Sequence, residues 1–453
     1  DCRCRHHELR HIAHEKCPLG RLQGLLPRGH PILVEPRTGR DRYSPSGQTS
    51  EASLSARMRV GRDTMGSRRN QTSEFIRDAA LSELVRAGHS ALTMESIARA
   101  SYSSIGSVYA RFNGRSALFA DLLASRVAPA LNRLSEGSGS LESRLSAALA
   151  DDGIGAVIRA LTELALAARH DEEIRDDTRI LVLRLVEMIA ENEDEGIRWL
   201  VAAVVLGRQF LVGMGCTVPP IAADLARFVR SMSERIDEPR RAGTLSSPPD
   251  PPIPDSPEPK THDSVSESLS RSTARVFAEK GMTGANLREI AADSGVTSGA
   301  VYRRYGSKSE LVRDAVVREL SPRRYEWTEQ FVAAFAGMID ESPGDILADQ
   351  VLSLLSDRER ALSTLEMMHA ARVDTAVREV LTSQFHAAAA ARTAMFAQFV
   401  EAGAVSENVN PLLMGWLIQT APAGGRILVS LDLSLPEESL RRGLRSVVSA
   451  LAA

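Results

Sequence analysis

The sequence predicts an all-α protein built from two similar helical units. Apolar residues recur at helical spacing, as Leu287, Ile290 and Ala291 do at i, i+3 and i+4. A 23-residue segment occurs twice along the chain without a gap, at 93–115 and 286–308. A segment rich in Pro and Ser, 239–262, separates the two units because it cannot continue a helix.

The second copy of the repeated segment reads NLREIAADSGVTSGAVYRRYGSK. Its first helix ends before Gly295, which can take the positive φ of a sharp turn. Thr297 or Ser298 can then cap a second short helix, in which Val301 faces the first helix. Two short helices joined by a Gly turn, with polar donors on the second, predict a helix-turn-helix that reads DNA.

The first copy, TMESIARASYSSIGSVYARFNGR, follows the same pattern at an offset of 193 residues. The first copy departs from this pattern at Tyr102 and Ser103, which stand where the second copy has Gly295 and Val296. A residue other than Gly in a left-handed turn costs about 1 kcal/mol. We therefore expect a reshaped turn or weaker DNA binding in the first copy.

Both copies resemble the DNA-binding domain of TetR-family transcriptional regulators. The positions that carry the resemblance in the second copy are Gly281, Ile290, Ala291, Gly295, Val296, Gly299, Tyr302, Tyr305, Lys308 and Leu311. The resemblance implies two units, each with an N-terminal three-helix DNA-binding domain and a C-terminal helical domain for ligand binding and dimerisation. The expected DNA-binding domains are 67–126 and 263–319, and the expected C-terminal domains are 127–238 and 320–453.

The candidate DNA contacts are hydroxyl-bearing, amide and cationic side chains, which bind phosphates and base edges. They are Arg68, Arg69, Thr93, Ser104, Ser107, Tyr109, Arg111, Arg115, Asn286, Thr297, Ser298, Tyr302, Arg304 and Lys308. Core packing is the alternative for the two tyrosines, and a solvated terminus is the alternative for Arg68 and Arg69. Because the two recognition helices differ, the expected partner is a double-stranded DNA operator that is an imperfect palindrome.

The resemblance also implies a pocket for a small, apolar effector and pairing of the last two helices of each unit. Large apolar residues are the candidate pocket lining, with ordinary core packing as the alternative. They are Met188, Trp199, Phe210, Met367, Met368, Phe385 and Trp416. The two halves of one chain are expected to pair as an intramolecular pseudo-dimer, and the alternative is a homodimer of tandem chains.

Composition excludes other classes of protein. A formal net charge of −3 excludes a polybasic nucleic-acid binder, so attraction to DNA must come from local basic surfaces. Three of the four Cys lie in the first seventeen residues, which favours a reduced, cytoplasmic protein. The sequence contains no run of 18 apolar residues without a charge, so it predicts no membrane span. No pattern in it indicates a cofactor.

Residues 1–66 lack helical periodicity and predict a disordered or non-native extension. Their HELRH sequence at 7–11 is a literal HExxH, but nothing around it predicts the buried scaffold that a zinc hydrolase needs, so we assign no metal site. The hypotheses are therefore a ligand-responsive repressor, a sensor that kept the fold without binding DNA, and, remotely, a zinc hydrolase.

Two local expectations concern the C-terminal domains. The apolar stretch 412–431 is expected to break at 421–425, because Pro422 and two glycines interrupt it. The acidic run 191–195 is expected to be a solvated turn or helix cap.

Overall fold

The computed structural model describes residues 70–136, 139–236, 259–260, 262–320 and 326–451. Met65–Ala453 forms one compact unit, and its described residues are helices joined by turns and loops, without a strand. The expectations for residues 1–66 with their HExxH, and those for Arg68 and Arg69, lie outside the described residues, as does most of the 239–262 segment.

The first half comprises the described residues 70–236. Its helices are α1 at 70–87, α2 Met94–Ala100, α3 Ile105–Tyr109, α4 Arg115–Leu122, α5 Ala128–Glu136, α6 Leu141–Leu149, α7 Gly153–Ala167, α8 Glu172–Ile189, α9 Glu195–Met214 and α10 Ala222–Glu234. One π-helical turn, Leu123–Val127, joins α4 to α5. We call α1 to α4 the first helix-turn-helix unit.

The second half comprises the described residues from 262 onward. Its helices are α11 Ser264–Gly284, α12 Leu287–Asp293, α13 Ser298–Tyr305, α14 Lys308–Leu320, α15 Glu326–Phe335, α16 Pro343–Ser356, α17 Arg358–His369, α18 Thr375–Glu401, α19 Pro411–Ser430 and α20 Glu437–Leu451. A 3-10 turn, Ala370–Arg372, joins α17 to α18. We call α11 to α14 the second helix-turn-helix unit.

Equivalent glycines end the first helix of each helix-turn-helix unit. Gly88 has φ +80° and Gly281 has φ +69°, a left-handed conformation that glycine adopts without the steric cost of a Cβ. Gly281 kinks the end of α11. The chain turns at both glycines towards the next helix, and each glycine lies against a buried glutamate of a C-terminal domain.

The two halves contact each other most closely where α9 crosses α19. A Cβ at Gly207 would overlap the carbonyl oxygen of Thr420, and a Cβ at Gly424 would overlap the carbonyl oxygen of Ala203. These contacts are reciprocal, because an offset of 217 residues takes Gly207 to Gly424 and Ala203 to Thr420. Small residues therefore bring the two backbones into direct contact.

The expected break at 421–425 is wrong, because α19 continues through Pro422. Proline in a helix costs about 3 kcal/mol through its missing N–H and its clash with the preceding turn. Here packing outweighs that cost: α19 is buried against α9, α17 and α18, and it needs Gly424 to approach α9. The packing of α19 could not be predicted from the helix propensities of its own residues.

One long apolar helix lies inside the fold. Among the described residues, Glu195–Met214 is long and apolar enough to cross a membrane, but 83% of an apolar 18-residue stretch of it is buried in the protein. Close contact with α20 adds to this burial, since a Cβ at Gly196 would overlap the carbonyl oxygen of Ser439. We therefore interpret α9 as a core helix.

The acidic run between α8 and α9 is partly structural. Asp194 caps α9 by accepting the backbone N–H of Gly196 at 2.9 Å, as the cap interpretation predicted. Its other carboxylate oxygen pairs with Arg442 of the second half at 2.6 Å. Glu195 accepts a hydrogen bond from Ser439 at 2.6 Å. The run therefore joins the two halves in addition to capping the start of α9.

Candidate DNA-binding and effector sites

Each helix-turn-helix unit is built from two capped helices. Thr93 begins α2 in a capping box with Ser96, and Asn286 begins α12 by accepting two backbone N–H groups. Ser104 caps α3, and Thr297 caps α13. These four candidate DNA contacts therefore lie at helix N-termini. The side chains of Ser104 and Thr297 accept backbone N–H bonds of 3.1 and 3.2 Å.

The turn between these helices differs between the two units. Gly295 has φ +74°, whereas Tyr102 has φ +52° at the equivalent position. The Tyr102 side chain is fully exposed, so packing within the protein does not compensate the strain. The reshaped turn that the sequence predicts is thus a tyrosine held in the left-handed conformation and directed to solvent.

The recognition helices α3 and α13 each expose one tyrosine at an equivalent position. Tyr109 and Tyr302 are each 54% exposed, which excludes the alternative that they are core residues. Val108 and Val301 are buried on the opposite face and fix each helix to its unit. Gly106 of α3 and Gly299 of α13 occupy equivalent positions and face open space. A Cβ at Gly106 would have no atom within 4 Å, and a Cβ at Gly299 would have its nearest atom at 4.0 Å.

These glycines are not required by the fold, because neither has a positive φ and neither is crowded. Glycine inside a helix destabilises it by about 0.5–1 kcal/mol relative to alanine. A glycine at an exposed helical position permits another molecule's backbone to approach closely. The surface around Gly106 and Gly299 therefore leaves room for another molecule to approach the helix backbone.

The predicted cations have different surroundings. Arg111 donates from Nη1 to the carbonyl and hydroxyl oxygens of Ser107, both at 2.8 Å, and so lies along α3. The exposed Arg115 lies over the Phe119 ring, 5.6 Å from its centroid. Arg303, which sequence reasoning missed, is exposed in the last turn of α13.

Arg304 and Lys308 make contacts within the second helix-turn-helix unit. Arg304 pairs with Asp263, the N-cap of α11, and donates to the Ser266 hydroxyl at 3.0 Å. Lys308 Nζ donates to the carbonyl oxygens of Met282 and Ala285 at 2.9 and 2.6 Å, and burial lowers its pKa. Both residues hold the unit together in this structure, and the sequence offered no signal for that role.

A cavity of about 180 Å³ lies among the C-terminal helices. Helices from both halves line it, with Val204, Phe228 and Met232 from the first half and Phe396 and Met414 among the residues from the second. Most of the lining is apolar. The polar lining residues are Glu319, Gln350, Arg360, Thr364, Arg392, Gln419 and Arg426.

Two of the seven predicted pocket residues, Met368 and Phe385, line this cavity. Trp199 lines a smaller cavity of about 20 Å³. The remaining four are buried in the core outside this 180 Å³ cavity: Met188, Phe210, Met367 and Trp416. The contribution of α10 could not be predicted from sequence, because it depends on how the two halves pack.

Arg372 connects three parts of the molecule. From the second half it donates to the carbonyl oxygens of Leu84 and Val85, at 3.3 and 3.0 Å, where α1 ends. It also donates to the carbonyl oxygen of Gly213 near the end of α9. Its Nε lies 3.1 Å from an oxygen of Glu163 in α7, and both side chains are almost completely buried.

Arg169 of the first half makes the equivalent contacts with the second half. From the first half it pairs with the buried Glu366 of α17 and donates to the carbonyl oxygen of Ala278 at 2.6 Å. Glu366 in turn accepts the backbone N–H of Met282 at 3.2 Å, just after the kink of α11. Each arginine thus binds the helix-turn-helix unit of the half to which it does not belong.

We call the ion pairs Arg372–Glu163 and Arg169–Glu366 the reciprocal latch. An offset of 203 residues takes Arg169 to Arg372 and Glu163 to Glu366. Burial raises the pKa of the Glu163 carboxyl, but the Arg372 charge is among the groups that hold it well below its usual value. Burial likewise opposes ionisation of Glu366, whereas His170 and the Arg169 charge help to lower its pKa to about 2. Both glutamates are therefore ionised at neutral pH.

The folded architecture defines the class of protein as a tandem helix-turn-helix protein with joined helical C-terminal domains. Residues 76–122 and 270–315 each match the family model of bacterial regulatory proteins, tetR family. The two helix-turn-helix units therefore correspond to two tandem N-terminal domains of that family, which supports a DNA-binding transcriptional regulator. No curated protein matches the chain significantly.

Proposed function

We propose that the protein is an effector-responsive repressor that binds one operator as an intramolecular pseudo-dimer. The reciprocal crossing of α9 and α19 carries this proposal. An interface in which Gly207 contacts Thr420 while Gly424 contacts Ala203 has the self-complementary pattern of a twofold homodimer, although both partners are on one chain. Two helix-turn-helix units attached to such a core can contact two half-sites of one duplex.

The exposed surfaces of α3 and α13 support DNA as the partner. Tyr109 and Tyr302 offer hydroxyl groups that can bind phosphate oxygens, and Gly106 and Gly299 allow close approach of a phosphate backbone. Arg303 gives the second unit an exposed cation where the first unit has alanine. The two units should therefore contact unlike half-sites, with affinity that falls as salt rises.

The cavity supports an apolar effector with a polar end. Glu319 lines it and lies near the end of α14, the helix that follows the recognition helix α13. Glu319 is thus a member of the second helix-turn-helix unit, and its Oε1 accepts a hydrogen bond from Ser270 of α11 in the same unit at 2.9 Å. An effector that draws Glu319 away from Ser270 would change how α14 packs against α11 and so favour one arrangement of that unit over another.

The reciprocal latch supports coupling of both units to the core. Each helix-turn-helix unit is held at the end of its first helix by an arginine of the opposite half. A shift of the halves relative to each other would therefore move both units together. A coupling free energy of about 1–3 kcal/mol, or 5–150-fold in operator affinity, is the expected scale.

Stoichiometry on DNA tests this proposal. An operator selected from random duplexes would be bound by full-length protein and analysed by sedimentation velocity and footprinting. We expect one chain per duplex and protection of two unlike half-sites. Two chains per operator would instead support a homodimer with four helix-turn-helix units, and the absence of any selected sequence would support a sensor that does not bind DNA.

One observation favours a second candidate, in which only the second unit reads DNA. Tyr102 strains the turn of the first unit and projects into solvent beside the half-exposed Ile105. A footprint that covers one half-site and is lost in Arg303→Ala, but retained in Tyr109→Phe, would support binding by the second unit alone.

A further inference from the structure

Two histidines and a glutamate meet beside one half of the reciprocal latch. His89 follows Gly88 at the end of the first helix of the first helix-turn-helix unit, Glu163 lies in α7, and His369 ends α17 of the other half. Glu163 Oε2 is 3.1 Å from His89 Nδ1 and 3.5 Å from His369 Nε2. One ligand atom from each of the three residues lies within 4.8 Å of the other two.

His369 has an unsatisfied nitrogen directed into this cluster. Its side chain is 2% exposed, and Nε2 forms no hydrogen bond with any atom of the described residues. A buried polar atom without a partner costs about 1–3 kcal/mol. The distance of 3.5 Å to Glu163 Oε2 is too long for a good hydrogen bond but is suitable for two atoms that share a ligand.

The cluster exists at only one of two equivalent places. The offset of 193 residues takes His89 to Met282, and the offset of 203 takes His369 to Leu166. The glutamate and the arginine of the latch are kept at both places, whereas the pair of histidines occurs at one; at the other, His170 alone lies 3.9 Å from Glu366. The latch therefore does not need the histidines, and the imidazoles require a separate explanation.

We propose that His89, Glu163 and His369 bind a divalent transition-metal ion of the zinc class. Bonds of about 2.0–2.1 Å at tetrahedral angles separate ligand atoms by about 3.4 Å, close to both distances from Glu163 Oε2. Two imidazoles and one carboxylate favour Zn²⁺ or Co²⁺ over Mg²⁺ and Ca²⁺, which prefer oxygen ligands. Three protein ligands leave a fourth position for water.

The surroundings suit a weakly bound ion. The His89 and His369 rings stack at 4.6 Å, so their donor atoms need a small ring rotation to converge. Arg372 lies 3.1 Å from the other carboxylate oxygen, and its charge repels a cation and should weaken binding.

A bound ion would join three segments that belong to different parts of the fold. It would tie the loop after α1 to α7 of the same half and to α17 of the other half. The second helix-turn-helix unit, with Met282 at the equivalent position, would gain no such link. The ion would therefore stabilise one unit selectively, whether or not the chain represses transcription.

Cobalt binding by the full-length chain tests the site. Co²⁺ would be measured by equilibrium dialysis and by its visible absorption in wild type, His89→Met and His369→Leu, which copy the residues at the equivalent place. The Cys and His residues in the first seventeen positions are common to every variant, so their binding cancels in the comparison. His170→Val is the matched control, because His170 lies 3.9 Å from Glu366 outside the cluster.

We expect both cluster variants to bind one Co²⁺ fewer per chain than wild type and to lose the metal-induced rise in unfolding temperature. His170→Val should keep both. Equal stoichiometry and an equal temperature shift in wild type and His89→Met would overturn the site and leave only adventitious binding. Should His369→Leu fail to fold, His89→Met decides, because methionine is already accommodated at the equivalent Met282.

Discussion

Arg169 and Arg372 are equivalent residues of the two halves, and each forms a buried ion pair with the glutamate of the opposite half. Each also binds backbone carbonyl groups at the end of the first helix of the opposite helix-turn-helix unit. Each unit is thus held in part by the half to which it does not belong, in addition to contacts within its own half such as those of α11 with α17. We therefore expect a relative movement of the halves to move both units.

Removing either arginine should destabilise the fold strongly. Arg372→Met leaves Glu163 buried without its partner, and we expect a loss of about 3–5 kcal/mol in the free energy of unfolding by urea. Adding Glu163→Gln should recover part of that loss, because the unpaired charge is then removed. Arg227→Ala is the control, since its exposed pair with Asp224 should contribute about 0–1 kcal/mol.

The two latch variants should also differ in where they loosen the molecule. Hydrogen exchange should accelerate near 84–89 in Arg372→Met and near 277–282 in Arg169→Met, because each arginine binds carbonyl groups of one unit. Acceleration in the same unit for both variants would contradict the reciprocal arrangement.

Alanine at the open glycines should separate stability from DNA binding. Gly106→Ala and Gly299→Ala meet no crowding, and each should stabilise its helix by up to about 1 kcal/mol. Each should nevertheless weaken binding to a selected operator by about tenfold or more, a cost of about 1.4 kcal/mol, because the added methyl group displaces the phosphate backbone.

Fluorescence anisotropy with labelled operator, together with urea unfolding of the same samples, checks this pair of effects. Ser353→Ala on α16 is the control, since it also places alanine on an exposed helix outside both units. Unchanged operator affinity for Gly299→Ala would exclude close backbone approach at the second unit. Unchanged affinity for Gly106→Ala alone would indicate that the first unit does not contact DNA.

The helix-turn-helix units were predictable from sequence because their information is local. The spacing of Leu287 and Ile290, the turn at Gly295 and the cap at Thr297 all lie within a few residues of one another. Repetition at a fixed offset then made the same interpretation secure for the first unit, including the left-handed turn at Tyr102. Short-range steric and hydrogen-bonding rules were sufficient there.

Features that depend on the packing of the two halves were not predictable. Pro422 suggested a break, yet α19 is continuous because its contact with α9 outweighs the local cost. The latch joins Glu163 to Arg372 across more than two hundred residues, and single-sequence patterns carry no signal for such a pair. Most of the predicted pocket residues proved to be core residues for the same reason.

Relief of strain at the first turn should leave the fold intact. Tyr102 has φ +52° and is fully exposed, so Tyr102→Gly removes a cost of about 1–2 kcal/mol without losing packing. Glycine also increases the entropy of the unfolded chain, which offsets about 0.4–1 kcal/mol. We expect a net increase between zero and about 1.6 kcal/mol in the free energy of unfolding by urea, with Tyr109→Gly, at the last residue of α3, as a destabilising comparison.

The helix crossing gives a test of the pseudo-dimer that does not require DNA. A methyl group at Gly207 or at Gly424 would overlap a carbonyl oxygen of the opposite helix, so either alanine variant must push α9 and α19 apart. Overpacking of this kind typically costs about 1–3 kcal/mol. Because the two contacts are reciprocal, we expect similar losses for Gly207→Ala and Gly424→Ala in urea unfolding.

Their combination should lose less than the sum of the two single losses, since one separation of the helices relieves both overlaps. Ala202→Ser, a substitution at a buried position of α9 beside Ala203, controls for polar or steric change elsewhere in the same helix. Strictly additive losses, or a loss in only one glycine variant, would mean that the two contacts respond independently. The crossing would then not act as a single twofold-like interface between the halves.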